Sequence, residues 1–187
     1  MVIEVGVQVT AYFAASLDGY IAKEDGSIDW LNEASGVVPS GEDCGFQAFI
    51  DTIDVLVMGR KTFEQVLAFG EWAYGETSIV VLSSNPISSS LNVPGTVSHS
   101  SESPADLCDR LESSGVKRIY VDGGATVRGF LSAGRLDEII VTVIPIVLGG
   151  GISPFGELES EVVLTQLEAK VFDFGFVQIT YSVGANV

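Results

Sequence analysis

Asp54-Val-Leu-Val-Met-Gly-Arg-Lys-Thr-Phe63 is an apolar run that turns directly into a glycine, two cations, a hydroxyl and a helix-like segment. Residues 55–58 contain no polar position, so they read as a strand buried on both faces, as in a parallel sheet covered by helices. Gly59 stands at the carboxyl end of that strand, where open α/β sheets bind ligands. Thr62 is placed to cap a helix over residues 63–67, whose first N–H groups and partial positive charge suit an anion. Arg60 and Lys61 add full charges beside it. A phosphate seat and a plain tight turn with two solvated cations both fit this local pattern.

Outward from this corner the same grammar recurs. Residues 78–84 form a second apolar strand, ending in Ser83 and Ser84 before Asn85-Pro86. Residues 118–124 form another, running into Gly123 and Gly124, with a helix over 125–133. That makes a second corner of phosphate type. A helix over 104–114 is capped by Ser103 and stopped by Gly115, with Leu107 and Leu111 inward. The serine-rich stretch 88–103 reads as a surface connection around a short strand near Val97.

Nearer the N-terminus, residues 5–16 suit a central strand. Residues 20–31 read as a long loop after the Ser16-Leu-Asp-Gly19 turn, its Ile21 and Trp30 suggesting that it covers something apolar. Phe46, Phe49, Ile50 and Ile53 recur at helical spacing, which puts Asp43 near a helix start. The long apolar strand 138–148 is followed by a hairpin of 162–171 and 175–183 around Phe172-Asp-Phe-Gly175. Early strands alternate with helices and the last three do not. The class is α/β: a mostly parallel, mixed sheet with an antiparallel C-terminal hairpin edge, in one domain over residues 1–187.

Composition narrows the function. A chain of 187 residues buries roughly 70% of its unfolded surface without a covalent staple. Two cysteines without Cys-x-x-Cys spacing and a single histidine, His99, spell no metal or disulfide framework, and a cytoplasmic location is expected. His99 itself reads as a surface side chain. No apolar run approaches the ~18 residues of a membrane span. The formal charge of −16 disfavours nucleic acid as a partner, so an anionic ligand must be met by local cations.

Ser16-Leu-Asp-Gly-Tyr-Ile-Ala22, Asp29-Trp-Leu31, Met58-Gly-Arg-Lys-Thr62, Leu82-Ser-Ser84, Val121-Asp-Gly-Gly124 and Leu136-Asp-Glu138, with Pro145 and the glycines at 149–151, together resemble the dihydrofolate reductase superfamily. The branch is similar to the C-terminal reductase domain of the riboflavin-biosynthesis deaminase-reductase. The resemblance implies about eight strands flanked by helices, NADPH as cofactor, a small heterocyclic substrate and a homodimer, for which the strand 139–148 is a candidate interface. The implied activity is most like that of a 5-amino-6-(5-phosphoribosylamino)uracil reductase, with dihydrofolate or pterin reduction as the alternative and a non-catalytic NADPH-binding protein as the alternative of another class.

Residue by residue, the resemblance carries Gly59, Arg60, Lys61 and Thr62 onto the cofactor's phosphates, Arg60 toward the 2′-phosphate and Thr62 toward the pyrophosphate. Ser83 and Ser84 match the end of the strand that adds a second 2′-phosphate contact, and could equally just end a strand. Gly123 and Gly124, leading into Ala125 and Thr126, match the glycines under the pyrophosphate, where absence of Cβ permits close approach. Asp122 stands where many relatives have a third glycine, and is expected to point toward a backbone N–H or the substrate side. Ala15, Gly19 and Ile21 match the strand end and mobile loop that edge the nicotinamide, with Trp30 at the loop's far end or simply in the core.

Asp43 occupies the place of the carboxylate of folate-reducing members. It is expected to be buried with a raised pKa as part of proton delivery, or else to be an ordinary helix cap. Thr142 matches a substrate-side hydroxyl, or is a plain strand threonine. One departure concerns the substrate: a phosphorylated pyrimidine calls for cations near its loop, and residues 1–58 contain only Lys23.

Overall fold

Parallel strands connected by helices place all their carboxyl ends along one edge of a sheet, and that edge is what this chain builds. The computed structural model describes residues 6–70, 72, 74–87 and 96–184. Residues 1–5, Glu71 and Ala73 of the aromatic loop, and 88–95 of the serine-rich connection lie outside the described residues.

In chain order the elements are β1 (Gln8–Ser16), α1 (Asp29–Ala34), a 3-10 turn (Ser35–Val37), α2 (Phe46–Ile50), β2 (Val55–Gly59), α3 (Arg60–Ala68), β3 (Ser78–Leu82), β4 (Val97–Ser100), α4 (Pro104–Ser113), β5 (Arg118–Asp122), α5 (Gly124–Ser132), β6 (Glu138–Ile144), β7 (Leu164–Val171) and β8 (Val177–Val183). The eight strands form one sheet in the order β4-β3-β2-β5-β1-β6-β8-β7. The first six run parallel, and β8 and β7 join antiparallel. The hairpin turn closes as its sequence demands, with Gly175 at φ 98° and its N–H on Phe172 O.

Alternation along the central strands feeds two cores. Val9, Ala11, Val57, Val121 and Ile139 face α4 and α5, packing on Leu107, Val127 and Phe130. Tyr12, Leu56, Met58 and Tyr120 face the other way, onto Phe49, Ile50 and Phe63 of α2 and α3. Phe63 is fully buried, so about 3–5 kcal/mol would be lost on cutting it to alanine. A third cluster of Trp30, Ile144, Phe172 and Phe176 seals α1 against the hairpin.

Several boundaries differ from expectation. α1 begins at Asp29, inside the stretch 20–31 expected as a loop, so Trp30 lies on a helix. α3 begins at Arg60 rather than after Thr62, with Gly59 as its N-cap residue and no side-chain cap, so Thr62 lies inside the first turn. β6 ends at Ile144 ahead of Pro145, and it lies between β1 and β8 rather than on an edge. Both of its edges are therefore taken by strand pairing. Exposed apolar side chains cluster on and beside the edge strand β7, at Val163, Leu164, Leu167 and Val171, and Val147 just past β6 is exposed as well.

Candidate active site

Six parallel strands end at Ser16, Gly59, Leu82, Ser100, Asp122 and Ile144, and a cleft of about 1420 Å³ opens over that edge. A drug-sized ligand fills about 300–1,000 Å³, so the cleft has room for a dinucleotide and a second small molecule.

One half is made by two helix starts that converge. Gly59 leads into α3 and Gly123 into α5, and neither helix has a side-chain cap. Each approaches the other through a missing side chain. A Cβ on Gly59 would lie 3.1 Å from Thr126 Oγ1, and a Cβ on Gly123, which also has φ 89°, would collide with Thr62 Oγ1. A Cβ on Gly124 would press on Ile21 Cδ1 and Ser153 O at 3.1 Å. The glycines thus serve first to let protein meet protein. The uncapped N–H groups of both helices, with their partial positive charge, then face the cleft together.

Arg60 flanks this seat. Its guanidinium donates from Nε and Nη2 to Ser83 Oγ at 3.0 Å each, and from Nη2 to Pro86 O at 2.8 Å and to Asn85 O. Ser83 therefore anchors the arginine, while Ser84 lines the cleft without touching it. His99, on β4, is not a surface ornament: its Nε2 donates to Ser83 O at 2.7 Å and steadies the same turn. Lys61, Ala125 and Thr126 line the cleft beside these groups.

The loop after β1 is pinned rather than free. Ile21 N donates to Ile152 O and Ile152 N to Ala22 O, both at 2.9 Å. Asp18 accepts from Ser16 Oγ at 2.7 Å, Leu148 N at 3.0 Å and Gly149 N at 2.7 Å, and these bonds, the Ser16 one foremost, lower its pKa. Ile21 reaches the cleft, whereas Gly19 is an exposed turn residue at φ 86°. Ala15 is buried, and Ala14 lines the cleft in its stead, because successive side chains of a strand point to opposite faces. Trp30 is 4% exposed within the third core cluster and does not line the cleft.

The other half has a different chemistry. Gln178 of β8 lies opposite Thr142 of β6, and its Nε2 shares its two hydrogens among Thr142 Oγ1 at 3.0 Å and Tyr12 Oη and Cys44 O at 2.9 Å. Tyr12 Oη in turn donates to Cys44 O at 2.9 Å, and burial pushes its pKa up to about 12. Cys44 is held at φ 57°, the only non-glycine positive φ among the described residues, and this turns its carbonyl inward. Thr142 accepts within this network and keeps a hydroxyl hydrogen to donate. The aromatic loop after α3 contributes Phe69 and Tyr74 to the wall.

Asp43 departs from its expectation in environment. It is exposed, it accepts from Gly45 N and Gln47 N at 2.8 Å, and those bonds lower its pKa. It lines the cleft as a cap of α2, and the raised proton affinity expected there belongs to another carboxylate. Asp122, half-buried at the seam between the two halves, has its pKa raised from 3.8 to about 6 by desolvation, against one lowering hydrogen bond from Gly123 N at 2.8 Å. Asp122 thus meets a backbone N–H, as its place before Gly-Gly led one to expect, though its raised proton affinity was not foreseen. Tyr12 and Gln178 are site groups that the sequence did not single out, and only the antiparallel register brings Gln178 to Thr142.

Among the described residues, no three His, Cys, Asp or Glu side chains are grouped to hold a metal ion, and no helix is long and apolar enough to cross a membrane.

An open, mostly parallel sheet with a two-part cleft over its strand ends defines a dinucleotide-sized α/β site of the dihydrofolate reductase fold. The same fold is seen in the Enterococcus faecalis dihydrofolate reductase complexed with NADP(H), at TM-score 0.58 and 19% identity over 96% of each chain. The chain belongs to the family described as RibD C-terminal domain, matched over residues 7–177. It is 38% identical over 163 residues to the uncharacterized Bacillus subtilis (strain 168) protein YwjB, covering 86% of this chain and 90% of that one. A crystal structure from Shewanella sp. PV-4, of a protein provisionally named for riboflavin biosynthesis, has TM-score 0.88 and 35% identity, covering 95% of this chain and 99% of its own.

Proposed function

We propose that the protein is an NADPH-dependent reductase that passes hydride to a small heterocyclic acceptor, within the branch that resembles the aminopyrimidine reductase of riboflavin biosynthesis. The observation that carries this reading is the convergence of two uncapped helix starts beside Arg60, over the ends of parallel strands. Phosphates of a dinucleotide suit those N–H groups, and Arg60, with Ser83 and Ser84, suits the additional 2′-phosphate, for which a charge-assisted donor is needed.

The bound nicotinamide supplies hydride. The protein's own residues do the rest. Ile21, Ala14 and the aromatic wall exclude water from the reacting face. Thr142 Oγ1, oriented by Gln178, donates to a ring acceptor of the substrate. Asp122 Oδ1 is engaged by Gly123 N, so Oδ2 is the atom that holds and delivers the proton accompanying hydride. The exposed apolar side chains of β7 support a homodimer formed at that edge, and Leu167→Lys is expected to shift an ultracentrifugation profile toward monomer.

The test is a thermal-shift titration with NADPH and NADH on the wild type and Arg60→Ala. A ligand at a hundred times its Kd adds ~2.7 kcal/mol of stability. NADPH is expected to stabilise the wild type far more than NADH, and Arg60→Ala to remove the difference. No shift with either nucleotide overturns the reading.

A further inference from the structure

The half of the cleft remote from Arg60 carries its own statement about charge. Among the described residues six charged side chains line the cleft, and the two cations, Arg60 and Lys61, both belong to the first turn of α3. The remaining four are Glu42, Asp43, Glu102 and Asp122. Glu102 is tied to Arg110, with Oε2 to Nη2 at 2.8 Å. Glu42, Asp43 and Asp122 are left around the Tyr12, Thr142 and Gln178 network.

The backbone there is also unavailable to an anion. Cys44 N donates to Glu42 Oε1 at 2.7 Å, and Gly45 N and Gln47 N donate to Asp43 at 2.8 Å. Three N–H groups at the start of α2 thus already hold resident carboxylates, and Phe46 N donates to the backbone carbonyl of Asp43 at 3.1 Å. Lys23, the one cation in residues 1–58, is paired with Asp29 at 2.8 Å. Lys170, across the sheet from Gln178, lies with Nζ 4.4 Å from the centre of the Phe172 ring and outside the cleft lining.

From this arrangement we infer that the acceptor is an uncharged or cationic flat heterocycle, a free base or nucleoside without a phosphate. This rests on the reductase reading and names its substrate class. A phosphate monoester placed in this half would meet the like charges of Glu42 and Asp43 and find no lining cation to offset its desolvation, the Thr142 hydroxyl being an uncharged donor. An uncharged ring meets the aromatic side chains of Tyr12 and Phe46, the Thr142 hydroxyl as donor and the Asp122 carboxyl as acceptor or proton source. A cationic or amino-bearing ring is favoured further by the Glu42 and Asp43 carboxylates.

The experiment uses two matched pairs that differ only in a terminal phosphate: neopterin with its monophosphate, and ribosylaminouracil with its 5′-phosphate. Each is titrated calorimetrically into the full chain with and without saturating NADPH. The unphosphorylated member of a pair is expected to bind at least ~10-fold more tightly. Glu42→Gln, which keeps the hydrogen bond to Cys44 N while removing the charge, is expected to narrow that gap. Lys170→Ala is expected to leave it unchanged.

Equal or tighter binding of the phosphorylated member overturns the inference, as does a loss of phosphate-ester affinity in Lys170→Ala. Failure of all four compounds at millimolar concentration overturns it as well, since the half would then have no affinity for flat rings. NADPH titrated alone separates the two readings. If it does not bind, the cofactor assignment fails; if it binds and the esters prevail, only the present inference fails.

Discussion

The two halves of the cleft use the same device to opposite ends. In the cofactor half, the first turns of α3 and α5 are uncapped, and their N–H groups stand open beside Arg60. In the acceptor half, the first turn of α2 is closed by Asp43, and the preceding N–H by Glu42. A helix start is an anion site only until the chain fills it with a carboxylate of its own. One sequence thus makes an anion seat and an anion-repelling wall side by side, and Asp122 sits at the join, where neither charge nor solvent favours its ionised form.

That join is where the contrast is most easily broken. Asp122→Asn removes the proton source while keeping the shape, and kcat is expected to fall by about 10²–10⁴-fold. In the wild type, kcat is expected to decline as pH rises through about 6, where Asp122 loses its proton. The same group reports on stability with the opposite benefit. A pKa raised on folding gives stability that is intact below about pH 4 and lost as pH rises through about 6. Asp122→Asn escapes that loss, so denaturant melts should show it more stable than wild type by about 1–3 kcal/mol at pH 7.5, and equal near pH 4.

The cofactor half is tested at its closest contact. Gly123→Ala forces a side chain onto Thr62 Oγ1 at φ 89°, and a cost of about 2–4 kcal/mol is expected in urea unfolding. Pairing it with Thr62→Ala should recover the steric part and leave the backbone part, which separates helix convergence from simple turn strain.

The acceptor half is tested at its hub. Gln178→Leu leaves Thr142 Oγ1 short of a donor, while Cys44 O keeps that from Tyr12 Oη, at a cost of about 1–3 kcal/mol. Acceptor KM should rise while NADPH affinity stays unchanged. The smallest effect belongs to Asp43→Ala, about 1 kcal/mol from the lost cap. Because the pKa of Asp43 is lowered on folding, its contribution is present at neutral pH and disappears as pH falls through the carboxylate range. Wild type and Asp43→Ala should therefore converge in stability in acid.

Much of this site can be read from short segments. Met58-Gly-Arg-Lys-Thr62 and Val121-Asp-Gly-Gly124 declare strand ends and helix starts because capping, glycine conformation and apolar runs act over a few residues. Ala15 was displaced by Ala14 because a one-residue error in strand phase reverses the face. Asp43 resisted reading because a carboxylate before a helix looks the same whether it awaits a ligand or caps its own chain. His99 looked idle in a serine-rich stretch, and the Ser83 carbonyl that engages it lies sixteen positions earlier in the chain.

By itself the sequence determined the order of the strands and of the helices other than α1, the parallel class with its antiparallel hairpin, and the two glycine corners, since each follows from local periodicity and turn chemistry. Tertiary structure alone decided that Thr62 meets Gly123, that Gln178 orients Thr142, and that Asp122 rather than Asp43 holds its proton toward neutral pH. Those outcomes depend on sheet order and register, which bring groups far apart in the chain within hydrogen-bond distance, and on the desolvation that their neighbours impose together.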